Sequence, residues 1–397
     1  MLAGAALPTT ACEAWEWKTR APYDVRLDVV SEGYDGKTCW FHPRAGVLPG
    51  KTPVVVMTLQ KWDLQASDLF LPLQEMRSED LGGHWSAATD HSATLGRRAE
   101  PNGVEVGVCD FTPKWHARSG VLLGTGHTVR YRANRLIAVR PRETAYSVYD
   151  PTARTWANWS TLKMPDEPRF QNSGAGSTQR VDLPDGDILL PIYFKELAAP
   201  RYASAVARCG FDGKQLVFKQ LGTPLTVPTG RGLYEPSLAL YKGRYYLTMR
   251  NDTAAYVSVS RDGLQFDEPR MWKWDDTNDL GSYNTQQHWV THADGLFLAY
   301  TRRGADNDNV VRHRAPLFIG EIDTDELSVI RISERVLVPS KGAQLGNFAV
   351  TDVNERETWV TTSEGMSPRG SEKFGANGRV YAARIQWKRR NGAWNRH

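Results

Sequence analysis

Glu235 and Arg250 stand equally far from the tight turn at Lys242-Gly243, so in an antiparallel hairpin their side chains face each other across the open end. A carboxylate beside a guanidinium stays ionised, which is the state a general base needs; the same pair is also what a plain ion pair at a strand end looks like. The same geometry applied elsewhere sets Asp110 near His127, Gln286 and Gln287 near Arg302, and Asn347 near Glu364. If those open ends converge, they make a ring of acids, bases and amides around one ligand.

The elements that would position such a ring repeat along the chain. A tight turn leads into an apolar strand at Pro49-Gly50, Ser119-Gly120, Asp185-Gly186, Lys242-Gly243, Asp294-Gly295 and Glu355-Arg356. The turns recur at intervals of about fifty to seventy residues, one four-stranded blade apiece. Six copies predict an all-β fold, a single six-bladed β-propeller over 22–397, with a β-sandwich of ordinary hairpins as the alternative. Closure is expected to pair the strand around Val25 to Val29 with Val380 to Ile385, hiding the sheet edges. Two further segments, Ser78 to Trp85 and Ser260 to Phe266, set Ser and Asp before Gly and an aromatic; 147–156 and 211–218 are looser versions. They read as turns that lock neighbouring blades and carry no chemistry.

Composition agrees with many short strands: 10% aromatic residues, 14 Trp, 34 Gly and 22 Pro. The net charge of +4 is scattered, with no basic run, which argues against nucleic acid as a partner. No stretch of 18 apolar residues could span a membrane. Met1 to Cys12 carries no charge and is rich in Ala, Leu and Thr, so 1–21 reads as a leader remnant or N-terminal extension and a secreted or periplasmic, bacterial-type location is expected. Four cysteines without a CxxC pair predict buried thiols at Cys39 and Cys109. No HExxH or EF-type loop occurs and Asp306 to Asn309 reads as a solvent loop, so no metal and no cofactor is predicted.

The run from Glu235-Pro236-Ser237-Leu238-Ala239-Leu240 to Thr248-Met249-Arg250, followed by the Asp-box-like (BNR) Ser260 to Phe266, resembles the sialidase (neuraminidase) superfamily. The resemblance implies that Arg250, fifteen residues after Glu235, binds a substrate carboxylate. Arg314, heading Ala315-Pro316-Leu317-Phe318, is similar to the strand start that carries another arginine of the family's carboxylate-binding triad. Asp63, ahead of Asp68 and of Ser78 to Trp85, resembles the family's acid/base aspartate. The likeness runs from Phe41 to Glu364 as a chain of short motifs and departs from the family twice. The first triad arginine should precede a proline, whereas Cys39-Trp40-Phe41-His42-Pro43-Arg44 puts Phe41 or His42 there, leaving Arg44 or His42 as the substitute. The tyrosine nucleophile should fall within 342–348, which holds no tyrosine; Tyr283, Tyr234 or an activated water would take its place.

What the resemblance implies is an exo-acting glycoside hydrolase on an acidic glycan, with Asp63 as acid and Glu235 as base or nucleophile activator. Arg44, His42, Asp110, His127, Arg250, Gln287, Tyr283, Arg314 and Asn347 would contact the substrate. A polysaccharide lyase on uronate-containing glycans is the second reading, with His127, His288, Tyr283 and Arg250 to supply base, acid and carboxylate neutraliser. A non-catalytic glycan-binding propeller is the third.

Overall fold

Short runs of β-branched and aromatic residues between Gly-containing turns favour antiparallel sheet, and that is what the chain forms. The computed structural model describes residues 19–66 and 68–394; their one α-helix is the single turn Ser92–Leu95. The leader-like Met1 to Cys12 lies outside the described residues.

Five sheets are each cut from one contiguous stretch, 38–90, 98–161, 172–221, 234–271 and 288–338, and are arranged as the blades of a β-propeller. The repeat count predicts six such blades, whereas contiguous chain builds five. The remaining sheet is shared by the two ends of the chain: Tyr23–Ser31 pairs with Val380–Trp387, which is followed in the sheet by Glu357–Ser363 and Ala349–Asn354. The last repeat supplies only three strands of its own, and the first strand covers its open edge. Val25 lies opposite Ile385 and Val29 opposite Tyr381, so the two segments expected to close the ring do pair.

Hydrogen bonds around the axis tie each sheet to the next. Thr58 Oγ1 donates to Phe111 O (3.1 Å), Ser177 N to Asp110 O (3.4 Å), Leu238 N to Gln179 O (3.0 Å) and Trp289 Nε1 to Ser237 O (2.8 Å). Gln286 Nε2 donates to Phe348 O, and Thr351 Oγ1 to Ala45 O (2.5 Å), returning to the first sheet. Apolar faces fill the space between sheets, as where Trp272, Trp289 and Tyr300 pack between the fourth and fifth.

The Ser-Asp-Gly turns brace this packing. Ser78 Oγ accepts Gly82 N–H (2.8 Å), Asp80 Oδ1 accepts His84 N–H (2.8 Å), and Trp85 lies against Trp359 of the shared sheet, ring centroids 6.2 Å apart. Ser260 Oγ accepts Gly263 N–H (2.9 Å), and Phe266 packs with Leu189 and Val206 of the third sheet. This is the locking role expected of them. Cys39, Cys109 and Cys209 are buried free thiols.

Near the middle of the channel His288 is fully buried, with Nδ1 2.8 Å from Ser237 Oγ and Nε2 without a partner. Burial, then the charge of Arg44, pushes its pKa down to about 3. The native ring therefore stays neutral where the unfolded chain takes up a proton, so its contribution is complete above pH about 6.5 and is lost as pH falls toward the folded value. Urea unfolding at pH 7 and pH 4.5 is expected to show His288→Gln losing about 2 kcal/mol less on acidification than the wild type. Equal losses in the two proteins would contradict this account of His288.

Candidate functional site

Three inner strands carry the same irregularity. Their pairing register slips between Phe41 and Arg44, between Cys109 and Thr112, and between Tyr234 and Ser237. One residue of each bulge sits at positive φ: His42 at 53°, Asp110 at 53° and Glu235 at 47°. A non-glycine residue held there costs about 1–3 kcal/mol, and a bulge re-aims the side chain it carries. The strain thus falls on one titratable residue in each of three sheets. Ser177 (57°) and Asn284 (49°) share that backbone region.

Glu235 places both carboxylate oxygens 2.7 Å from Arg250 Nη1, as the hairpin geometry predicts. The other guanidinium nitrogen, Arg250 Nη2, donates to Asn284 Oδ1 (2.7 Å). The backbone oxygen of the same Asn284 accepts from Arg314 Nη2 (2.5 Å) and Nε (3.2 Å), so Arg250 and Arg314 converge on one residue. Arg314 Nη1 donates to Gln344 Oε1 (3.1 Å), within the segment that lacks a tyrosine. Arg250 is paired with Glu235; burial would lower its pKa, but Glu235, Tyr234 and Asp252 together raise it. Arg314 is buried with neutral partners only; burial, then Arg250 and Arg312, pushes its pKa down. A guanidinium nevertheless stays protonated, so the pocket holds a buried cation whose hydrogen-bond partners are neutral and whose nearby opposite charge, Glu235, is paired with Arg250.

Asp110 organises the adjoining wall. Its Oδ1 accepts from Arg44 Nη2 (2.7 Å) and Ser177 Oγ (2.6 Å) and lies 3.3 Å from His42 Nε2. Burial would raise its carboxyl pKa, but the surrounding His42, Arg44 and His127 with the Ser177 bond hold it well below the usual range. His42 and His127 are themselves pushed down by burial, which leaves Arg44 as the lasting cation. Arg44 also donates to Phe348 O (3.3 Å) and is wholly buried, so it props the pocket floor from beneath. His127 Nδ1 lies 3.1 Å from Tyr193 Oη and its Nε2 3.1 Å from Cys109 Sγ. Burial drives the Tyr193 phenol up and the Cys109 thiol up, so both stay protonated.

Cys109, Asp110 and His127 offer ligand atoms within 4.8 Å of one another, a spacing a metal ion could use. The oxygen facing Cys109 and His127 is Asp110 Oδ2 (3.9 and 4.0 Å), while Arg44 holds Oδ1; burial keeps the Cys109 thiol protonated and the Arg44 cation lies beside the site, so the donor set favours a proton and hydrogen-bond network.

Several expected neighbours are not brought together. Arg302 pairs with Glu334 (2.7 Å) and lies over Trp274 and Phe318, while Gln286 reaches inward to Phe348 O and Gln287 donates to Thr285 O (2.6 Å). The last residues of this hairpin splay out of register, and strand pairing ends at His288–Ala299. Glu364 accepts Asn377 N–H (2.8 Å), Arg379 N–H (3.1 Å) and Tyr381 O–H (2.8 Å), and makes no bond to half-buried Asn347. Asp63 accepts Gln65 N–H (3.0 Å) and shapes the loop that leads to Asp68. The charge of Asp68 acts on His42, Cys109 and Arg140. Tyr283 Oη lies 2.6 Å from His313 Nδ1, whose Nε2 is 3.1 Å from Asp308. Tyr234 donates to Asp252 (2.7 Å) and accepts from Arg231 (2.6 Å); burial pushes its pKa up to about 12.

The hairpin rule misses Arg142, Tyr193, Tyr202 and Asn284. Arg142 lies over the rings of Tyr193 (5.1 Å) and Tyr202 (5.8 Å), and its buried Nε has no partner. It sits on a loop after Pro141, where strand periodicity says nothing; an Arg-Pro-Arg run ahead of a strand is the one signal.

No family model matches the chain, and no curated protein matches it in sequence. Solved structures do match. A protein of unknown function from Dyadobacter fermentans DSM 18053 superposes with a TM-score of 0.64 at 14% identity, over 92% of this chain and 99% of that one. The Hadza microbial sialidase Hz136 gives 0.60 at 13% identity, over 88% of this chain and 66% of that one. Trypanosoma rangeli sialidase in complex with sialic acid gives 0.59 at 13%, over 91% of this chain and 58% of that one. The fold is sialidase-like; this chain spans about two thirds of the length of Hz136 and less of the trypanosomal enzyme.

Proposed function

We propose that this propeller is an exo-acting glycoside hydrolase for a carboxylate-bearing sugar, with 22–397 as one catalytic unit. The observation that carries it is Arg314, a buried cation beside the Glu235–Arg250 pair whose hydrogen-bond partners are all neutral. A ligand carboxylate would supply the missing charge and be gripped by two guanidinium groups. Arg44 is spent on Asp110 and Phe348, so Arg142 replaces it as the third arginine facing ligand. Asp68, the exposed loop carboxylate nearest in effect to His42, is the proton donor to the leaving oxygen, and Asp63 holds its loop. Glu235 takes the proton of a water that attacks the anomeric carbon, because Tyr234 and Tyr283 are engaged with Asp252 and His313.

One observation favours a second reading. Neutral His127 against Tyr193, with Arg142 over the phenol, is the set a lyase needs: a base, a proton donor and a carboxylate neutraliser. Incubation with sialylated and uronate-containing oligosaccharides separates the two. Hydrolysis is expected to release a saturated acidic monosaccharide, while elimination gives a product absorbing in the near ultraviolet. Failure to turn over any acidic glycan sinks both and leaves a binding propeller.

A further inference from the structure

Arg140 and Arg142 lie on the loop between Arg135–Leu136 and Thr144–Asp150 of the second sheet, and the start of the third sheet holds that loop in place. Arg142 N–H donates to Gln171 O (3.3 Å), Ser173 N–H to Arg142 O (2.9 Å) and Asn172 Nδ2 to Arg140 O (3.1 Å). Gly174 makes room for the Arg142 side chain, because a Cβ there would stand 2.8 Å from Arg142 Cδ. Beside the Arg142 guanidinium, Lys195 Nζ lies 5.1 Å from the Tyr202 ring. Arg140 is close enough to feel both Arg142 and Tyr202, so three half-buried cations gather about one tyrosine.

Their partners carry no charge. Arg140 Nη1 donates to Ile137 O (2.6 Å) and Ala138 O (3.5 Å), and Lys195 Nζ to Ala199 O (2.5 Å). The Nε atoms of Arg140 and Arg142 are buried without a partner, and among the described residues none of the three cations joins an ion pair. Ser67, in the neighbouring loop, has no charge to offer. The acids whose charges reach this group are Asp68 and Glu235, and Glu235 is paired with Arg250. Arg250 and Arg314 form a separate set: Arg314 feels Arg250 and Arg312, Arg140 feels Arg142, and Glu235 acts on both sets. Aromatic rings span the interval, with Tyr202 against Tyr234 (centroids 5.8 Å apart) and Arg250 4.7 Å from the Tyr234 ring.

A single carboxylate held by Arg250 and Arg314 leaves the cations around Tyr202 unanswered. A metal ion would be repelled there, and a neutral or apolar group would take water from charges that it cannot replace. A second oxyanion would meet the same forked N–H groups as the first. We infer that this pocket takes an oligosaccharide with acids on two neighbouring sugars: a carboxylate at Arg250 and Arg314, and a carboxylate or sulfate ester on the next sugar at Arg140 and Arg142. The inference rests on the acidic-sugar reading of the pocket and names the second group that such a substrate carries.

Calorimetric titration of the whole protein tests it with the methyl glycoside of an acidic monosaccharide and with disaccharides of that sugar whose second residue is neutral, carboxylated or sulfated. The two diacidic probes are expected to bind at least about tenfold more tightly than the disaccharide with a neutral second residue, the effect of one charge-assisted bond. Whichever gains more identifies the second acid. In Arg142→Met the gain is expected to shrink to within about twofold, and Arg140→Met carries the same expectation if Arg142→Met does not fold. Arg314→Met is expected to weaken every probe by a common factor and keep the gain. Equal affinity for the diacidic and neutral-tailed disaccharides overturns the inference and leaves the single-acid reading standing, as does a gain that survives in Arg142→Met. A gain that Arg142→Met removes, without turnover of any probe, keeps the second subsite and sinks the hydrolase. No binding of any acidic probe overturns both.

Discussion

Arg314→Met is expected to lower kcat/KM for a carboxylate-bearing sugar by about 10²–10³-fold, since removing one partner of a desolvated charge pair costs about 2–5 kcal/mol. The free protein should not share that loss. In the unliganded pocket Arg314 is a buried cation bonded to neutral groups, Asn284 O and Gln344 Oε1, and Met removes an unneutralised charge while keeping most of the side-chain volume. The melting temperature of the variant is therefore expected to equal or exceed that of wild type, while binding of the acidic product falls. Steady-state kinetics with a thermal melt reads both. A variant that melts much lower and retains wild-type kcat/KM would make Arg314 a structural strut and remove the anion pocket.

That arginine was legible in the sequence only through the company it keeps. Its spacing before Pro316 and a strand suggests a motif, but its lack of a counter-ion exists only in three dimensions. Glu235 beside Arg250 was readable because the two-residue turn fixes the register as far as Ser237–Thr248; past the bulge Tyr234 stands opposite Arg250, and the Glu235 side chain still reaches the guanidinium. The same rule failed for Arg302, because strand pairing stops at Ala299 and the chain beyond it is free to turn its side chain onto Trp274. Arg44 was offered by the resemblance, not by that rule, and local backbone geometry decides its place too. The bulge at His42 and Pro43 shifts the register by one step, which sends His42 toward Asp110 and buries Arg44 under the floor. Bulges of this kind, repeated at Asp110 and Glu235, have no sequence signature beyond a titratable residue before Pro or Phe. Sheet order and closure were visible in turn spacing and apolar runs, which depend on local chemistry. The missing fourth strand of the last repeat was a matter of counting, and the first strand of the chain filled it.

Glu235→Gln provides the second large effect and separates the roles that one carboxylate could play. Gln keeps the size and one acceptor oxygen for Arg250, so the bulge and Asn284 contact should persist, while the proton acceptor is gone. If Glu235 activates water, kcat is expected to drop about 10²–10⁴-fold, the usual contribution of a positioned general base. KM should not rise. With Glu235 neutral, Arg250 joins Arg314 as a second cation free for a ligand carboxylate, and affinity for the acidic product is expected to increase. A fall in kcat with tighter product binding is a pattern that simple unfolding cannot produce, since loss of active protein leaves KM and Kd untouched. Under the elimination reading the outcome inverts: Glu235→Gln would keep turnover within a few fold and Tyr193→Phe would abolish it, because the proton would then move through Tyr193 and His127. Wild-type kcat in Glu235→Gln together with full activity in Tyr193→Phe would leave neither reading standing.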